Sequence, residues 1–221
     1  MTDFARAREN MVNAQLMTNG IHNKDLLEIY RNLPREAFLD KTVADRAYVD
    51  EDLSIPGQKA FVLEPLAEAR LLQDACAAPV GCALVLGAAS LPSAVIMASC
   101  ASTVIVLEPE PELATAAQKR LSEREICNTV LIEMDYRDGY ARQAPYDVIF
   151  VPGAVPAVPQ NLIDQLSVGG KLLCVLRPSR LAPGKAVCLQ RLENGDVATK
   201  IIADVSTPYL PGFEPGAEFS F

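Results

Sequence analysis

Residues 83–108 limit the possible folds of this chain more than any other part of the sequence. The segment starts with four apolar residues, reaches Gly87, continues through an apolar stretch and ends in a second apolar run that closes at Glu108. This order predicts a short buried strand, a glycine turn, a helix and a second buried strand. Glu108 follows Gly87 by 21 residues, near the spacing at which nucleotide-binding folds place an acid on a ribose diol. A nucleoside site is therefore predicted at this turn.

Strands and helices continue to alternate after this segment. The strands are apolar throughout and the helices begin at prolines, which indicates a parallel sheet covered on both faces. Residues 186–192 and 198–205 flank Asn194-Gly195, a strong signal for an antiparallel hairpin. We expect an α/β, Rossmann-like fold with a mostly parallel seven-stranded sheet, followed by an extended surface tail at 208–216. The strands predicted before the hairpin are 83–86, 103–108, 129–133, 146–151 and 171–176, and the helices between them are 92–100, 111–123 and 159–167.

The first 78 residues follow a different pattern, in which helices are separated by loops. Asn23 is expected to cap one helix and Pro34 to end it, and Pro65 suits the first turn of another. We therefore expect residues 1–78 to form a helical elaboration that packs on a core of residues 79–221, the whole being one structural unit. The predicted helices are 3–18, 23–33 and 65–75, the first with Phe4, Ala7, Met11 and Ala14 on its apolar stripe.

The composition argues against several classes of function. The net charge is −8 at pH 7, which disfavours a nucleic-acid partner because phosphate binding needs clustered Lys and Arg. The N-terminus lacks the apolar core of a signal peptide. The long apolar stretch at 75–106 is broken by glycine and proline, so it is interpreted as strand, helix and strand rather than a membrane span. We expect a cytoplasmic protein without a membrane segment.

The cysteines and the single histidine indicate no metal site. None of the six cysteines has C-x-x-C spacing, and most lie in apolar runs, so buried reduced thiols are favoured over metal ligands or disulfides. His22 lies in a polar turn and is expected at the surface, which disfavours a histidine-based triad. The cysteines are Cys76, Cys82, Cys100, Cys127, Cys174 and Cys188.

Short motifs follow one another between residue 11 and about residue 176. Each is weak alone, but the set is specific. They are Met11-Val12-Asn13-Ala14-Gln15-Leu16 with Gly20-Ile21, Leu33-Pro34-Arg35-Glu36-Ala37-Phe38, Ala47-Tyr48-Val49-Asp50, Gly57-Gln58, Pro145-Tyr146-Asp147-Val148-Ile149, and Leu162-Ile163-Asp164-Gln165-Leu166 with Gly169-Gly170. Together they resemble the protein-L-isoaspartate O-methyltransferase family, which has V-P-R-x-x-F, A-Y-x-D, G-Q-T-I-S-Q-P, F-D-x-I and L-x-x-Q-L-x-x-G-G at the corresponding places.

This resemblance implies a class I methyltransferase fold that binds S-adenosylmethionine, a fold that ends with a last strand inserted antiparallel. It also implies methylation of the abnormal carboxylate of isoaspartyl residues, which begins the repair of aged protein, so the implied partner is an isoaspartyl-containing protein or peptide. The attacking carboxylate is already ionised at neutral pH. Positioning therefore matters more than a strong general base, and we assign no catalytic residue.

A cofactor site follows from the same resemblance. The family's V-L-E-I-G-x-G-x-G turn corresponds to the residues around Gly87. Glu108 is expected to bind the ribose hydroxyls, and Asp135 could accept a hydrogen bond from an adenine amino group. Tyr136 either stacks on the adenine ring or fills its place. The implied cofactor-binding residues are Gly87, Ala88, Ala89, Ser90, Glu108, Asp135 and Tyr136.

The glycine turn departs from the family pattern at three positions. Val85 stands at the family's acid, and Ala89 and Leu91 stand at its second and third glycines. A Cβ atom where the backbone approaches a ligand blocks the ligand or changes the backbone, and leucine does so more than alanine. The methyl group of Ala89 and the isobutyl group of Leu91 are then expected in the space that the cofactor would occupy. The alternative, which we favour for Leu91, is that the side chains pack inward.

The segment that matches the substrate loop is two residues longer than G-Q-T-I-S-Q-P. Matching the prolines puts Leu63 at the serine that contacts the substrate carboxylate. Glu64 beside it would repel that carboxylate, unless Lys59 points inward and offsets the charge. The alternative, which we favour, makes Glu64 a first-turn helix residue stabilised by the helix dipole. The candidate substrate-loop residues are Gly57, Gln58, Lys59, Leu63 and Glu64.

Three functions remain open. The first is an active S-adenosylmethionine-dependent methyltransferase, supported by the motifs, Glu108 and Asp135. The second is a catalytically silent relative that acts as a scaffold or regulatory binding protein. The changes at the glycine turn (Val85, Ala89 and Leu91), together with Leu63 in place of the substrate serine, favour weak or absent isoaspartyl methylation. The third is a nicotinamide-dependent oxidoreductase, which fits the position of Glu108 but not the terminal hairpin or the missing G-x-G-x-x-G. The sequence indicates no oligomeric state.

Overall fold

A seven-stranded sheet forms the centre of the chain in the computed structural model, which describes residues 3–216. The strands of the chain are β1 (Leu53–Ser54), β2 (Phe61–Val62), β3 (Val80–Leu86), β4 (Ala101–Glu108), β5 (Thr129–Glu133), β6 (Tyr146–Val155), β7 (Leu166–Leu176), β8 (Lys185–Arg191) and β9 (Val197–Asp204). The order in the sheet is β5-β4-β3-β6-β7-β8-β9. The first five are parallel, and β8 is antiparallel to both of its neighbours. The predicted α/β fold with its terminal hairpin is confirmed.

The last strand is not inserted into the sheet. β9 pairs with β8 and forms the edge, while β8 pairs with β7. The turn at Asn194-Gly195 explains this order, because a short connection keeps two strands adjacent. The expected antiparallel insertion is therefore wrong.

Helices cover both faces of the sheet. Along β3, Val85 belongs to one buried cluster, whereas Leu84 and Leu86 belong to another. Successive side chains of a strand point to opposite faces, which is why the strand is apolar at every position near its end. The helices are α1 (Phe4–Asn10), α2 (Lys24–Asn32), α3 (Pro65–Leu72), α4 (Leu91–Cys100), α5 (Pro111–Glu123) and α6 (Gln160–Asp164).

The predicted boundary between the last helix and its strand is wrong. α6 ends at Asp164, and β7 already begins at Leu166, which pairs with Tyr146. The predicted strand began only at residue 171, after Gly169-Gly170, and glycine is depleted in strands. In the structure, a Cβ atom on Gly170 would lie 2.7 Å from the carbonyl oxygen of Tyr146. The absence of a side chain therefore allows the two strands to meet here.

The N-terminal helix changes its winding after α1. It continues as a π-helix (Met11–Leu16) and then as a short 3-10 helix (Met17–Asn19). The wider π turn alters the spacing of the buried side. Met11, Val12 and Leu16 are buried, whereas Ala14 is exposed. The predicted helix is confirmed, and the predicted apolar stripe is wrong at Ala14.

One buried cluster joins the N-terminal segment to the sheet. It contains Met11 and Leu26 together with Val85 of β3 and Val106 of β4. Asn23 caps α2 as predicted, because its Oδ1 atom accepts a 3.0 Å hydrogen bond from the Leu26 N–H group. The division of the chain at residue 78 stays a prediction.

The cysteines are less buried than expected. All six thiols are free; Cys76, Cys174 and Cys188 are buried, Cys82 and Cys100 are half-buried, and Cys127 is exposed. His22 is exposed, as predicted. Within residues 3–216, no three His, Cys, Asp or Glu side chains are grouped as a metal ion would require. None of the described helices is long and apolar enough to cross a membrane.

Candidate functional site

A cavity of about 620 Å³ opens at the carboxyl ends of the parallel strands. It lies where β3 has β4 on one side and β6 on the other, the place where open α/β sheets bind their ligands. Its walls come from the loop between β1 and β2, the turn after β3, the residues that follow β4 and β5, Pro152 of β6 and the tail at 210–212.

The fold brings most of the predicted site residues to this cavity. Ala88, Leu63 and Glu64 are the predicted residues that do not line it. Arg137 and Leu210 line it without having been predicted. The predicted residues that do line it are Gly57, Gln58, Lys59, Gly87, Ala89, Ser90, Glu108, Asp135 and Tyr136.

Gly87 forms the floor of the cavity. Its φ angle is +92°, a left-handed conformation that L-residues with side chains rarely adopt. A Cβ atom placed on it would lie 3.7 Å from Leu210 Cδ1 and 3.9 Å from Tyr136 Cε1. Gly87 therefore allows the left-handed turn and leaves open the space between these two side chains.

Glu108 closes the far side of the glycine turn. Its side chain is buried, with 3% of the residue exposed. Oε2 accepts a 2.6 Å hydrogen bond from the Ala88 N–H group, and Oε1 accepts one of 3.0 Å from the Glu110 N–H group. Burial raises the pKa of the Glu108 carboxyl, and the two N–H donors oppose this. Each oxygen keeps a second lone pair, which could accept a ligand hydroxyl.

Asp135 and Tyr136 follow β5 and have different surroundings. Asp135 is exposed and ion-paired with Arg137, whose hydrogen bond lowers the pKa of the aspartate. Tyr136 is buried, and its ring stacks on Phe213 with centroids 6.1 Å apart and planes at 6°. Burial raises the pKa of the Tyr136 phenol, so the hydroxyl stays protonated and donates. One face of the Tyr136 ring is thus already occupied by the tail.

The tail does not lie on the surface as predicted. Leu210 and Phe213 are buried, and the Leu210 N–H group donates a 2.9 Å hydrogen bond to the carbonyl oxygen of Ala154 in β6. The available signal was the pair Tyr209-Leu210, two apolar residues in a proline-rich segment that otherwise suggested solvent. Tyr209 is half-buried, and the burial of Leu210 explains why the tail forms a wall of the cavity.

The candidate substrate loop is a small hairpin. β1 and β2 pair antiparallel, with Leu53 opposite Val62, and residues 57–60 of the connecting loop line the cavity together with Phe61 of β2. Lys59 is exposed on this loop. Leu63 is buried and instead faces the core, while its N–H group donates a 3.3 Å hydrogen bond to Ser90 Oγ.

Glu64 precedes α3 rather than lying in its first turn. It is the N-cap residue, and its side chain makes no capping hydrogen bond. Its N–H group donates a 2.9 Å hydrogen bond to Asp52 Oδ1. Burial, together with the negative charges of Asp52 and Asp50, raises the pKa of the Glu64 carboxyl to about 7. Glu64 therefore belongs to an acidic cluster behind the loop.

Comparison with known proteins decides the family. The family model described as "Protein-L-isoaspartate(D-aspartate) O-methyltransferase (PCMT)" matches residues 6–211. The chain belongs to the protein-L-isoaspartate O-methyltransferase family. "Protein-L-isoaspartate O-methyltransferase 1" of Syntrophobacter fumaroxidans is 34% identical over 173 residues, which cover 78% of this chain and 80% of that protein. "Protein-L-isoaspartate O-methyltransferase 2" of Geotalea uraniireducens is 33% identical over 198 residues, 90% of each chain.

Solved structures of the protein-L-isoaspartate O-methyltransferase family share the fold. One superposes with a TM-score of 0.80 at 19% identity, covering 94% of this chain and 67% of that one. Another, from Plasmodium falciparum in complex with S-adenosyl-L-homocysteine, gives a TM-score of 0.75 at 18% identity and covers 95% and 99%. The Rossmann-like class I methyltransferase fold is therefore confirmed.

The departures from the protein-L-isoaspartate O-methyltransferase pattern do not all reach the cavity. Val85 and Leu91 are fully buried in the same core cluster, and neither lines the cavity. Ala89 does line it. Leu91 thus packs inward, as favoured, and the expected isobutyl group in the ligand's room is wrong. Tyr136 and Leu210 are the lining side chains nearest to a Cβ atom placed on Gly87.

Proposed function

We propose that this chain binds S-adenosylmethionine in the cavity and transfers its methyl group to the carboxylate of isoaspartyl-containing proteins or peptides. The observation that carries the proposal is the meeting of Gly87, Glu108 and Asp135 at one cavity on the carboxyl edge of the sheet. A cytoplasmic location and the absence of a nucleic-acid partner remain predictions, based on the sequence and its charge.

The residues of the cavity fit an adenosyl ligand. The volume of about 620 Å³ lies within the range of about 300–1,000 Å³ found for small-molecule sites. The free lone pairs of Glu108 match a ribose diol, and the backbone at Gly87 permits close approach. Asp135 is exposed at the edge of the cavity, where a carboxylate oxygen can accept from an exocyclic amino group.

The reaction needs positioning more than acid–base chemistry. When bound, the cofactor supplies a methyl group on a sulfonium, so that a new C–O bond forms as the C–S bond breaks and the electron pair remains on sulfur. The chain's own residues hold the partners and exclude water: Leu210 and Tyr136 wall the room above Gly87. No proton moves, because the substrate carboxylate is already ionised.

The substrate side of the site supports a slow reaction. Leu63 has no hydroxyl to offer a carboxylate and is 1% exposed. Lys59 is the cation of the loop and is solvated, so its attraction for a carboxylate is screened. We therefore propose slower turnover than that of a relative with a serine at this position.

The second candidate is a silent relative that serves as a scaffold or regulatory binding protein. Its support is the stack of Tyr136 on Phe213, which places a protein side chain against the ring that would otherwise face an adenine. Under this alternative, the cavity binds no adenosyl ligand and the fold alone is retained.

Calorimetry with S-adenosylhomocysteine tests the first proposal. We expect binding by the wild type, loss of binding by Glu108→Ala, and unchanged binding by Glu133→Ala, which removes an exposed carboxylate from the adjacent strand end. Absence of any signal at about millimolar ligand would contradict the first proposal and favour the second.

Methyl transfer needs its own measurement. The protein should transfer the labelled methyl group of S-adenosylmethionine to an isoaspartyl peptide and not to the same peptide with an ordinary aspartate. Binding without transfer to any isoaspartyl peptide would leave the chain as a silent ligand-binding relative.

A further inference from the structure

A buried carboxylate lies behind the cavity and has partners on three elements. Glu68 of α3 is 0% exposed. Its Oε2 atom accepts hydrogen bonds from the Tyr30 hydroxyl of α2, at 2.9 Å, and from Arg35 Nη1, which also makes it an ion pair. Its Oε1 atom accepts a hydrogen bond from Ser93 Oγ in the first turn of α4. All four side chains are buried.

The elements held by Glu68 carry the two walls of the cavity. α3 begins three residues after β2, the second strand of the hairpin, and α4 follows the turn at Gly87 directly. Leu63, between the loop and α3, is held on both sides of its peptide backbone. Its N–H group donates to Ser90 Oγ at 3.3 Å, and its carbonyl oxygen accepts from Arg35 Nη2 at 3.4 Å. The loop and the turn are thus joined through a single polar network.

We propose that Glu68 is a positioning residue, which holds the substrate loop at 57–61 against the glycine turn through Ser93 and Arg35. Its side chain does not line the cavity. Its effect on ligands rests on the proposed function, because the cavity that it shapes is the proposed binding site.

The physical reason lies in the burial of the charge. A carboxylate removed from water must keep its donors, since an unsatisfied buried charge is strongly unfavourable. A fully satisfied network therefore favours one relative position of the elements that supply the donors. Loss of the Ser93 hydroxyl releases α4 from this network but leaves the ion pair with Arg35 intact.

Two variants that each remove one hydrogen bond to the same carboxylate provide the test. Ser93→Ala breaks the connection to α4 beside the cavity, and Tyr30→Phe breaks the connection to α2 on the other side. Both should lower the Tm to a similar extent. Ser93→Ala alone should accelerate amide hydrogen exchange in residues 57–63 of the ligand-free protein. It should also weaken S-adenosylhomocysteine binding by at most about tenfold, the equilibrium factor of the one intramolecular hydrogen bond that is lost.

The outcomes separate this inference from the proposed function. Equal exchange rates in residues 57–63 for both variants, or no change for Ser93→Ala, would overturn the positioning role. If the wild type fails to bind S-adenosylhomocysteine, the proposed function fails, while the exchange rates in the ligand-free protein still decide the role of Glu68. Should Ser93→Ala not fold, Ser93→Cys keeps the shape of the side chain, with a somewhat larger atom and a weaker donor, and is expected to show the same changes to a smaller extent.

Discussion

The hydroxyl group of Tyr136 donates a 2.6 Å hydrogen bond to the carbonyl oxygen of Pro211. The same ring stacks on Phe213, and its edge lies beside Gly87. The tail is thereby attached to the residue that directly follows the predicted adenine contact, Asp135. This attachment makes the tail a part of the site and gives the first prediction.

Tyr136→Phe should loosen the tail without removing the aromatic stack. The lost hydrogen bond leaves the Pro211 carbonyl without this donor, and we expect a loss of about 0.5–1.5 kcal/mol in the free energy of unfolding. Hydrogen exchange should accelerate in residues 208–213. Tyr146→Phe is the matched control, because the Tyr146 hydroxyl donates a 2.7 Å hydrogen bond to the Tyr140 carbonyl away from the tail. Similar exchange in the tail of both variants would contradict the attachment.

Gly87→Ala should damage both stability and binding. The left-handed backbone costs about 1–2 kcal/mol for a residue with a Cβ atom, and the methyl group would enter the space between Leu210 and Tyr136. Gly195→Ala carries a similar backbone cost at a φ of +85° but meets no atom within 4 Å. Urea unfolding should show similar losses for the two variants, and titration with S-adenosylhomocysteine should show weakened binding for Gly87→Ala. Unchanged affinity in Gly87→Ala would place the ligand elsewhere.

Ala89→Gly should act mainly on ligand binding, whereas Leu91→Ala should act mainly on stability. Ala89 lines the cavity, so removal of its methyl group should strengthen or preserve ligand binding at a cost in stability of about 0.4–1 kcal/mol, because glycine gives the unfolded chain more freedom. Leu91 is fully buried in the core, so Leu91→Ala should cost about 2–5 kcal/mol without any gain in affinity. Unfolding curves and binding titrations on both variants check this. A gain in affinity from Leu91→Ala would show that the leucine side chain does obstruct the ligand.

Stability should fall as the pH rises through the titration of Glu64. The folded-state pKa of about 7 exceeds the ordinary value of 4.5, so the folded protein binds this proton more tightly than the unfolded chain. The stabilisation is complete below about 4.5 and is lost as the pH rises through 7. Denaturation at several pH values should show that the free energy of unfolding falls less with rising pH in Glu64→Gln than in the wild type. Glu133→Gln, an exposed control for the loss of one charge, should behave as the wild type. Identical slopes in all three proteins would contradict the acidic cluster.

Much of the sheet could be predicted because its strands are apolar and its turns have distinctive residues. β4 ends at Glu108 as predicted, and Asn194-Gly195 marks the terminal hairpin. The local sequence pattern was less informative where contacts between residues distant in the chain determine the backbone conformation. β7 begins before Gly169-Gly170 because the neighbouring strand approaches Gly170 closely, and a sequence pattern does not show that neighbour.

The site was predictable where residues follow the ends of strands, as Gly87, Glu108 and Asp135 do. For Leu210 the sequence offered only the apolar pair Tyr209-Leu210, because this residue reaches the cavity from the far edge of the sheet through long-range contacts. The direction of Leu91 was also open, since the side chain of a residue after a turn can face either the ligand or the core. Only the packing of α4 fixes it toward the core.

Glu108 accepts hydrogen bonds from two peptide groups of its own chain, at Ala88 and Glu110. Folding alone is therefore a sufficient reason for an acid at this position. A survey of genomes that took this acid as the mark of a working methyltransferase would also count proteins that have given up catalysis. The side chains at positions 136 and 210 are a better marker for such a survey, because Tyr136 and Leu210 line the cavity itself and their size sets the space above Gly87.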